Sequence, residues 1–379
     1  MMDGKRGFVF LFAVVWLLTV AISQLAAEEP SISRAALEIH HSSLLFDGHN
    51  DLPWRMRELV GGSFDKLDIT QRQARLQTDI PKLKLGGVKA QFWSVYVPAE
   101  TDVTGDALTK TLEQIEIAHA MFRRYPETFE QAKTADDVVR IAKSGKIASM
   151  LGVEGGHSMQ GSLPILKKFH ELGVRYMTLT HNKNLAWADA ANDKPVHGGL
   201  TEFGEEVVRE MNRLGILVDI SHVSPDTMRD ALRITKAPVI FSHSSTRALT
   251  DHPRNVPDEI LRELPKNGGV VMINFFSGFI TPTAELKRDK TARGTLQNVA
   301  DHIDHAVKIA GIDHVGLGGD FDGIDRTPVG LEDVSCYPTL TQELISRGYT
   351  REQLHKLLGE NILRVLRAAE EVAKTSARK

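Results

Sequence analysis

Seven side chains that can bind a metal ion or transfer a proton follow short apolar runs spaced along the chain. They are His49, Asp51, Glu154, His181, His222, His243 and Asp320. A single histidine after an apolar strand is more often a hydrogen-bonded core residue than a ligand. The Asp-Gly pair at 47–48 and the segment GGDFDG at 318–323 also suit simple turns. The joint pattern, and not any one member, therefore predicts a metal site.

The residue types of the candidate ligands limit which metal ions would bind. Histidines and carboxylates without cysteine suit zinc, manganese or iron, whereas a structural thiolate site would need cysteines. One catalytic zinc takes three protein ligands and a water molecule, so the surplus of ligands indicates two ions that share a bridging carboxylate. Such a pair, about 3.5–4 Å apart, can hold a hydroxide and stabilise a tetrahedral transition state. Glu154 comes from a strand between the others and is the bridge that we expect.

The elements that must position these residues alternate between short apolar runs and helical periodicities. The eight strand candidates are 43–47, 89–97, 147–154, 174–181, 217–222, 239–243, 270–275 and 314–321. Most are apolar on both faces, as parallel strands covered by helices must be. Eight strands that alternate with helices fit an α/β fold of the (β/α)8 TIM-barrel type. A doubly wound open sheet is the alternative, but it needs fewer strands and usually a glycine-rich phosphate loop.

The carboxyl ends of the strands in such a barrel open on one face, where active sites lie. The seven candidates, from six strands, would converge on that face. At the first strand, the two-residue period of a β-strand points His49 and Asp51 to the same side. Gly48 would let the chain bend tightly into the site.

Helix candidates between the strands have recognisable ends. One begins at Ser224 with Pro225 in its first turn. Another begins at Thr201 with an acidic first turn and stops at Gly215.

Composition narrows the class of protein. The chain has 379 residues, of which 42% are apolar and 25% charged, as in ordinary globular proteins. A net charge of −3 gives no general attraction to nucleic acid or to an anionic membrane, so we expect no nucleic-acid partner. Cys336 is the only cysteine, which excludes an internal disulfide.

The first residues of the chain have a different character. Lys5 and Arg6 precede GFVFLFAVVWLLTVAIS, and small residues then lead into a polar segment. This order is typical of a secretory signal peptide over residues 1–27, followed by one domain over 35–375. The alternative is an uncleaved membrane anchor, because the apolar stretch approaches the roughly 18 residues of a spanning helix. We expect an exported protein, periplasmic or secreted, with no stable membrane anchor after cleavage.

Eight segments run in order from about residue 35 to 370. They are FDGHNDLPW, QFWSVYVP, GVEGGHS, LTHNKNLAWAD, GILVDISHVS, PVIFSHSS, RNVPDEIL and HVGLGGDFDG. Together they closely resemble the membrane (renal-type) dipeptidase family, a branch of the metal-dependent amidohydrolase barrels. The resemblance implies a (β/α)8 barrel that hydrolyses dipeptides at a binuclear zinc centre.

The resemblance implies a role for each candidate ligand. His49 and Asp51 would bind one zinc ion, and His222 and His243 would bind the other. Glu154 would bridge the two ions together with a water or hydroxide, which would attack the peptide carbonyl.

The resemblance also implies residues that recognise the substrate. His181 would face the substrate and stabilise the developing oxyanion. Arg254, in HPRNVP at 252–257, would bind the C-terminal carboxylate, a task that suits a guanidinium. Without the resemblance, Arg254 is as well explained as a surface residue. Asp320 would hold the free amino group and pass a proton to the leaving amine.

Further expectations follow from the same family. It suggests tolerance of a D-residue at the C-terminal position of the dipeptide, and a homodimer. Mammalian members carry a hydrophobic tail for a lipid anchor and further cysteines, which this sequence lacks, so we expect a bacterial-type exported member. Four aromatic residues suit either the pocket wall or the core: Trp93, Trp187, Phe276 and Phe279.

Two other functions remain open from the sequence. The same centre would serve an amidohydrolase that acts on other N-acyl amino acids, lactams or esters. A non-catalytic metal-binding protein could also use the barrel as a scaffold, although such a protein has little use for two ions in an open site.

Overall fold

Eight of nine parallel strands form a nearly closed barrel in residues 32–378, the part of the chain that this computed structural model describes. The nine strands are β1 (Leu45–Asn50), β2 (Val88–Ser94), β3 (Phe129–Gln131), β4 (Ile147–Glu154), β5 (Val174–Thr178), β6 (Leu217–Asp219), β7 (Ile240–Phe241), β8 (Val270–Ile273) and β9 (Val315–Leu317). The barrel follows this order without β3, and a parallel bridge between Asn50 and Phe321 brings its two ends together. The predicted (β/α)8 TIM barrel is confirmed.

Strand β3 is the one that the sequence did not indicate. It pairs only with β4, outside the ring of eight. Phe129 is its only buried residue, and its ring meets the ring of Trp93 edge to face with 5.7 Å between centroids. A strand of three residues with one buried side chain has no detectable two-residue period.

The barrel strands divide their side chains between two apolar clusters, because successive residues of a strand point to opposite faces. Phe46, Phe92 and Tyr176 belong to the cluster inside the barrel, where the rings of Phe46 and Phe92 stack at 5.2 Å. Their strand neighbours, such as Trp93 and Met177, belong to the cluster between strands and helices. Both faces of the strands are therefore buried, as the sequence predicts.

Helices cover the outside of the barrel. Their bounds are Arg34–Ser42, Leu52–Val60, Ile80–Leu85, Glu100–Thr104, Ala107–Arg124, Ala135–Lys143, Leu163–Leu172, Glu202–Leu214, Pro225–Ile234, Asp258–Leu261, Leu264–Asn267, Ser277–Ile280, Thr283–Arg288, Leu296–Ala310, Tyr337–Ser346, Arg351–His355 and Asn361–Ala377. Short 3₁₀ segments lie at Gly156–Met159, Ile312–His314 and Val334–Cys336, and a π-helical segment at Lys356–Glu360.

The predicted helix ends are present. Ser224 Oγ accepts a hydrogen bond from the Thr227 backbone N–H at 3.2 Å. Thr201 caps its helix in the same way, and Gly215 ends that helix in the left-handed conformation with φ 78°. These ends position the loops that follow β5 and β6.

The predicted signal peptide, residues 1–27, lies outside the described residues. Within residues 32–378, no helix combines the length and the apolar character that are needed to cross a membrane. The single-domain boundaries at 35 and 375 stay a prediction.

Candidate metal centre and substrate pocket

The candidate ligands lie at the carboxyl end of the barrel, but several stand beyond the last paired residue of a strand. Glu154 ends β4, and His49 lies within β1. Four other candidates follow their strands by two or three residues: His181, His222, His243 and Asp320. The strands predicted to include them are therefore shorter. The φ angles of His222 and Asp320 are 66° and 61°, and a β-strand cannot continue through this left-handed conformation.

Asp51 lies close to His49, although not because of strand alternation. It stands just outside β1, before the next helix, with φ −99° and ψ 20°. Its Oδ2 atom is 3.1 Å from His49 Nε2. Gly48 allows close packing, because a Cβ at this position would lie 2.5 Å from Met272 Sδ and 2.6 Å from the Ser242 carbonyl oxygen. It also lies where the pairing of β1 with β2 is irregular, between Asp47 and Asn50, and the bend stays a prediction. A larger residue would push β1 away from β7 and β8.

Glu154 lies between two pairs of candidate ligands. Its Oε2 atom is 3.6 Å from His49 Nε2, on what we call the aspartate side, formed by His49 and Asp51. Its Oε1 atom is 3.0 Å from His222 Nε2 and 3.3 Å from His243 Nε2, the pair that we call the histidine side. The two carboxylate oxygens therefore point to different ligand pairs, as a bridging ligand requires.

Charge on the aspartate side favours a cation. Burial alone would lower the pKa of His49, but Tyr176 and the carboxylates of Asp51 and Glu154 hold this pKa well above its usual value. The same carboxylates that draw a proton to His49 would attract a metal ion in its place.

The histidine side has the opposite character. Burial holds the pKa of His222 and of His243 well below the usual value, and the positive charge of Arg254 acts in the same direction. Burial would raise the pKa of Glu154, but the charge of His49 and the close contacts with the rings of His222 and His243 hold it well below its usual value. Neutral imidazoles beside a carboxylate are the forms that bind a metal ion.

The residues present fit metal ions. Ligand atoms approach within 4.8 Å of one another in three overlapping groups: His49, Glu154 and His243; Glu154, His181 and His222; and His49, Asp51 and Asp320. Among the described residues, His49 Nε2 and Asp51 Oδ1 are buried without a hydrogen-bond partner. Each unpaired buried polar atom costs about 1–3 kcal/mol, which a bound cation would offset.

The other ring nitrogens of these histidines have partners. His49 Nδ1 lies 2.7 Å from the Tyr176 hydroxyl, and His243 Nδ1 lies 2.8 Å from Ser242 Oγ. Such contacts orient metal-binding imidazoles. Tyr176 and Ser242 were not predicted from the sequence, because both lie in or beside apolar strands, where a hydroxyl carries no distinct signal.

His181 lies farther from Glu154 than His222 and His243 do. Its Nε2 atom is 3.9 Å from Glu154 Oε1, and its ring lies 4.4 Å from that of His222 and 4.9 Å from that of Tyr96 between centroids. Burial lowers the pKa of His181 to about 4. It is therefore a neutral hydrogen-bonding group at pH 7.

Arg254 is buried, which corrects the alternative of a surface residue. Its Nη1 donates to Ser244 Oγ at 3.3 Å and its Nη2 to the His243 carbonyl oxygen at 3.2 Å. The guanidinium carbon lies 5.4 Å from the centre of the Phe279 ring. Burial lowers its pKa to about 10, so it remains charged at neutral pH.

Asp320 lies on the other side of the centre. Its Oδ2 accepts a hydrogen bond from Asn274 Nδ2 at 2.8 Å, and its Oδ1 is 3.9 Å from His49 Nε2. Burial raises the pKa of Asp320 well above its usual value, and the charges of Asp51 and Glu154 add to this effect against the opposing charge of His49. A raised carboxyl pKa is common among groups that take up and release protons in catalysis.

A cavity of about 770 Å³ connects these groups to solvent. Of the four aromatic residues considered from the sequence, Phe276 and Phe279 line it, whereas Trp93 and Trp187 are buried in the core. Two further aromatic side chains line the cavity without having been predicted: Trp54 and Tyr96. The cavity therefore has charged, metal-competent and aromatic walls, as small-molecule sites commonly do.

Known proteins similar to this chain include dipeptidases. The chain is 42% identical over 363 residues to dipeptidase verJ of Clonostachys rogersoniana, covering 93% of this chain and 90% of that protein. The probable dipeptidase PvdM of Pseudomonas aeruginosa has a similar structure, with a TM-score of 0.80, 25% identity and coverage of 89% and 98%. A metallopeptidase of Rhodobacter sphaeroides, solved with a phosphinate mimic of the dipeptide L-Ala-D-Ala, is also similar. Its TM-score is 0.77 and its sequence identity 26%, and the match covers 86% of this chain and 99% of that chain.

A family model agrees over nearly the whole described chain. The model for membrane dipeptidases, peptidase family M19, matches residues 33–379. The chain therefore belongs to the membrane dipeptidase family, peptidase family M19, whose members are metal-dependent hydrolases of dipeptides.

Proposed function

We propose that this enzyme hydrolyses dipeptides with two zinc ions that Glu154 bridges. The observation that carries the proposal is the orientation of the Glu154 carboxylate, with Oε2 toward His49 and Oε1 toward His222 and His243. In this proposal, His49 and Asp51 bind one ion, and His222 and His243 bind the other. When bound, zinc would supply hydroxide at neutral pH and polarise the peptide carbonyl.

The residues around the ions would orient a dipeptide by its two charged ends. Arg254 would bind the C-terminal carboxylate, because a buried guanidinium that keeps its charge pairs strongly with a carboxylate. Asp320 would bind the free amino group on the opposite side. Recognition of both ends explains why a dipeptide, and not a longer peptide, would fit.

Two residues would assist bond cleavage. His181 would donate a hydrogen bond to the carbonyl oxygen as negative charge develops there, acting as a neutral imidazole because its pKa is about 4. Asp320, whose pKa is raised, would hold a proton at its carboxyl group and pass it to the leaving amine.

We also propose that the enzyme accepts a D-residue at the C-terminal position. The Rhodobacter sphaeroides metallopeptidase with the L-Ala-D-Ala mimic supports this extension. The carboxylate of such a dipeptide would still bind Arg254, which lines the cavity of about 770 Å³.

Export is the last part of the proposal. The order of charged, apolar and small residues in the first 27 positions supports cleavage of a signal peptide. N-terminal sequencing of the protein recovered from the periplasm or medium would give a mature start after residue 23 or 27. Recovery of the intact N-terminus in membranes would instead support the anchor alternative.

The central experiment combines metal analysis with turnover. Purified wild type should contain two zinc ions per chain and hydrolyse members of a panel of L,L and L,D dipeptides. Glu154→Gln has nearly the same size but lacks the charge, so we expect weaker binding of both ions and a fall in kcat of roughly 1000-fold or more. Ser149→Ala, a buried change elsewhere on β4, is the matched control and should behave as wild type.

Two results would contradict the proposal. One zinc ion per wild-type chain, or a fully active Glu154→Gln variant, would exclude the bridged pair. Equal hydrolysis of dipeptides and of N-acylated or amidated analogues would instead favour a more general amidohydrolase.

A further inference from the structure

A buried carboxylate behind the histidine side has no role in the proposed reaction. Asp219 is the last residue of β6, and it is fully buried. Its Oδ1 accepts hydrogen bonds from the backbone N–H groups of Ser221 at 3.0 Å and Ser242 at 2.9 Å. Its Oδ2 accepts from the hydroxyls of Thr178 at 2.5 Å and Ser242 at 2.6 Å.

These contacts give the hydrogen bonds a single direction. A carboxylate can only accept, so the one hydroxyl proton of Ser242 is directed to Asp219. Ser242 Oγ must then accept in its other contact, at 2.8 Å from His243 Nδ1. The proton of the neutral imidazole therefore lies on Nδ1, and Nε2 keeps its lone pair toward Glu154 and the histidine side.

We propose that Asp219 and Ser242 are positioning residues that hold His243 in the tautomer with a free Nε2 lone pair, and so set the metal affinity of the histidine side. This inference rests on the two-ion centre proposed above. Neither residue lines the cavity, and the contact that joins the pair to a candidate ligand side chain is that of Ser242 Oγ with His243 Nδ1.

Among residues 32–378, no equivalent directed chain of hydrogen bonds stands behind the aspartate side. Behind His49 stands the Tyr176 hydroxyl, which can both donate and accept. A tyrosine leaves the tautomer of its partner open, whereas the Asp219–Ser242 pair determines it. The pair should therefore affect only one of the two ions.

Asp219→Asn provides a sharp test because it reverses the chain of hydrogen bonds. The two backbone N–H groups at Oδ1 require an oxygen there, so the amide nitrogen would take the Oδ2 position. It would then donate to Ser242, whose hydroxyl proton would turn to His243 Nδ1. The imidazole proton would move to Nε2, where it blocks metal binding.

The experiment measures both metal sites separately. Zinc is titrated into metal-free wild type, Asp219→Asn, Ser242→Ala and the control Ser149→Ala in competition with a chromophoric chelator. In Asp219→Asn and in Ser242→Ala, we expect the zinc affinity of one site to fall by about 10–100-fold, while the zinc affinity of the other site is unchanged. Ser149→Ala should bind both ions as wild type does.

A second measurement reports the tautomer directly. Long-range ¹H–¹⁵N spectra of the metal-free protein distinguish protonated from bare ring nitrogens, and His243→Gln identifies the signal of His243. Wild type should carry the proton on Nδ1 and Asp219→Asn on Nε2. Thermal unfolding of the metal-free variants shows whether they fold.

The outcomes separate this inference from the function on which it rests. If wild type binds fewer than two ions, the two-ion centre itself is wrong. If wild type binds two ions and Asp219→Asn keeps both affinities within about twofold, the positioning role is overturned. An equal loss of both affinities, or an unchanged tautomer in Asp219→Asn, would also overturn it.

Discussion

The aspartate side and the histidine side share Glu154 but differ in charge. Asp51 and Asp320 surround His49 with carboxylates, and the pKa of His49 is raised. Arg254 lies beside the histidine side, where burial and its positive charge lower the pKa of both imidazoles. The cavity is therefore anionic at one end and cationic at the other. In the proposed function, a dipeptide, with an ammonium and a carboxylate at its ends, would bind in the orientation that matches this polarity.

The two sides also differ in the chain segments that carry their residues and in the groups that contact their imidazole rings. The aspartate side comes from one chain segment at the end of β1, and Tyr176 reaches His49 from across the barrel. Each ligand of the histidine side follows a different strand, and His243 is supported by its own neighbour, Ser242. Different groups therefore support the two sides, and in the proposed function each side should respond to different substitutions.

The largest expected effect is at the anionic end. Asp320→Asn should lower kcat for dipeptides by about 10²–10⁴-fold, because the amide cannot pass a proton to the leaving amine. KM should change less, and the zinc content should remain two ions per chain. The measurement is steady-state kinetics on an L,L dipeptide.

Asp322→Asn is the matched control for that prediction. Asp322 lies in the same turn, with φ 66°, and its Oδ1 accepts from the Gln77 backbone N–H at 2.8 Å. Most activity should remain in this variant. A loss as large as that of Asp320→Asn would mean that the turn, and not the Asp320 carboxyl, is required.

The next effect tests the cationic end. Arg254→Ala should lower kcat/KM for dipeptides by roughly 30- to 1000-fold, since removing one partner of a buried charge pair costs about 2–4 kcal/mol. Dipeptide amides, which lack the carboxylate, should lose little. Arg364→Ala, at an exposed arginine that contacts backbone carbonyls at Gly268 and Asp313, is the control. Equal losses for both substrates would contradict the assigned polarity.

A smaller effect distinguishes the hydroxyl groups that contact His49 and His243. Tyr176→Phe removes the hydroxyl 2.7 Å from His49 Nδ1 and should weaken one zinc ion by roughly tenfold. The weakened ion should differ from that affected by Ser242→Ala, so the double variant should weaken both. Competition titration measures this, and weakening of the same ion in both single variants would mean that the two sides are not independent.

The smallest effect concerns pH. The hydroxyl and backbone N–H of Thr246, in the loop that leads to Arg254, lie 2.8 Å and 3.0 Å from His302 Nδ1. Burial lowers the pKa of His302 to about 3. The unfolded chain therefore binds more protons than the folded one, and this stability is complete above about pH 6.5 and is lost as pH falls toward 3.

His302→Gln should remove that part of the pH dependence. Between pH 6.5 and 5, the unfolding free energy of metal-free wild type should fall by up to about 2 kcal/mol more than that of the variant. Urea unfolding at both pH values provides the measurement. Parallel pH profiles would show that His302 does not contribute.

Much of the site could be predicted because its residues follow recognisable strands. His49, Glu154, His222 and His243 were found from residue type and position, and the structure brings their ligand atoms together. The exact ends of the strands were not found, because positive φ at His222 and Asp320 depends on the surrounding loops. The burial of Arg254 also could not be predicted from the sequence, since a proline-bounded loop can lie inside or outside a pocket.

The sequence by itself determined the barrel and the family and predicted the candidate donor set, because these depend on periodicity, residue type and ordered motifs. Only the tertiary structure decided which oxygen of Glu154 faces which ligands, and which groups stand behind them. Asp219 and Ser242 are separated from each other by 23 residues and meet only across the ends of two neighbouring strands. Hydrogen-bond direction depends on such contacts in space, and no local pattern in the sequence encodes it.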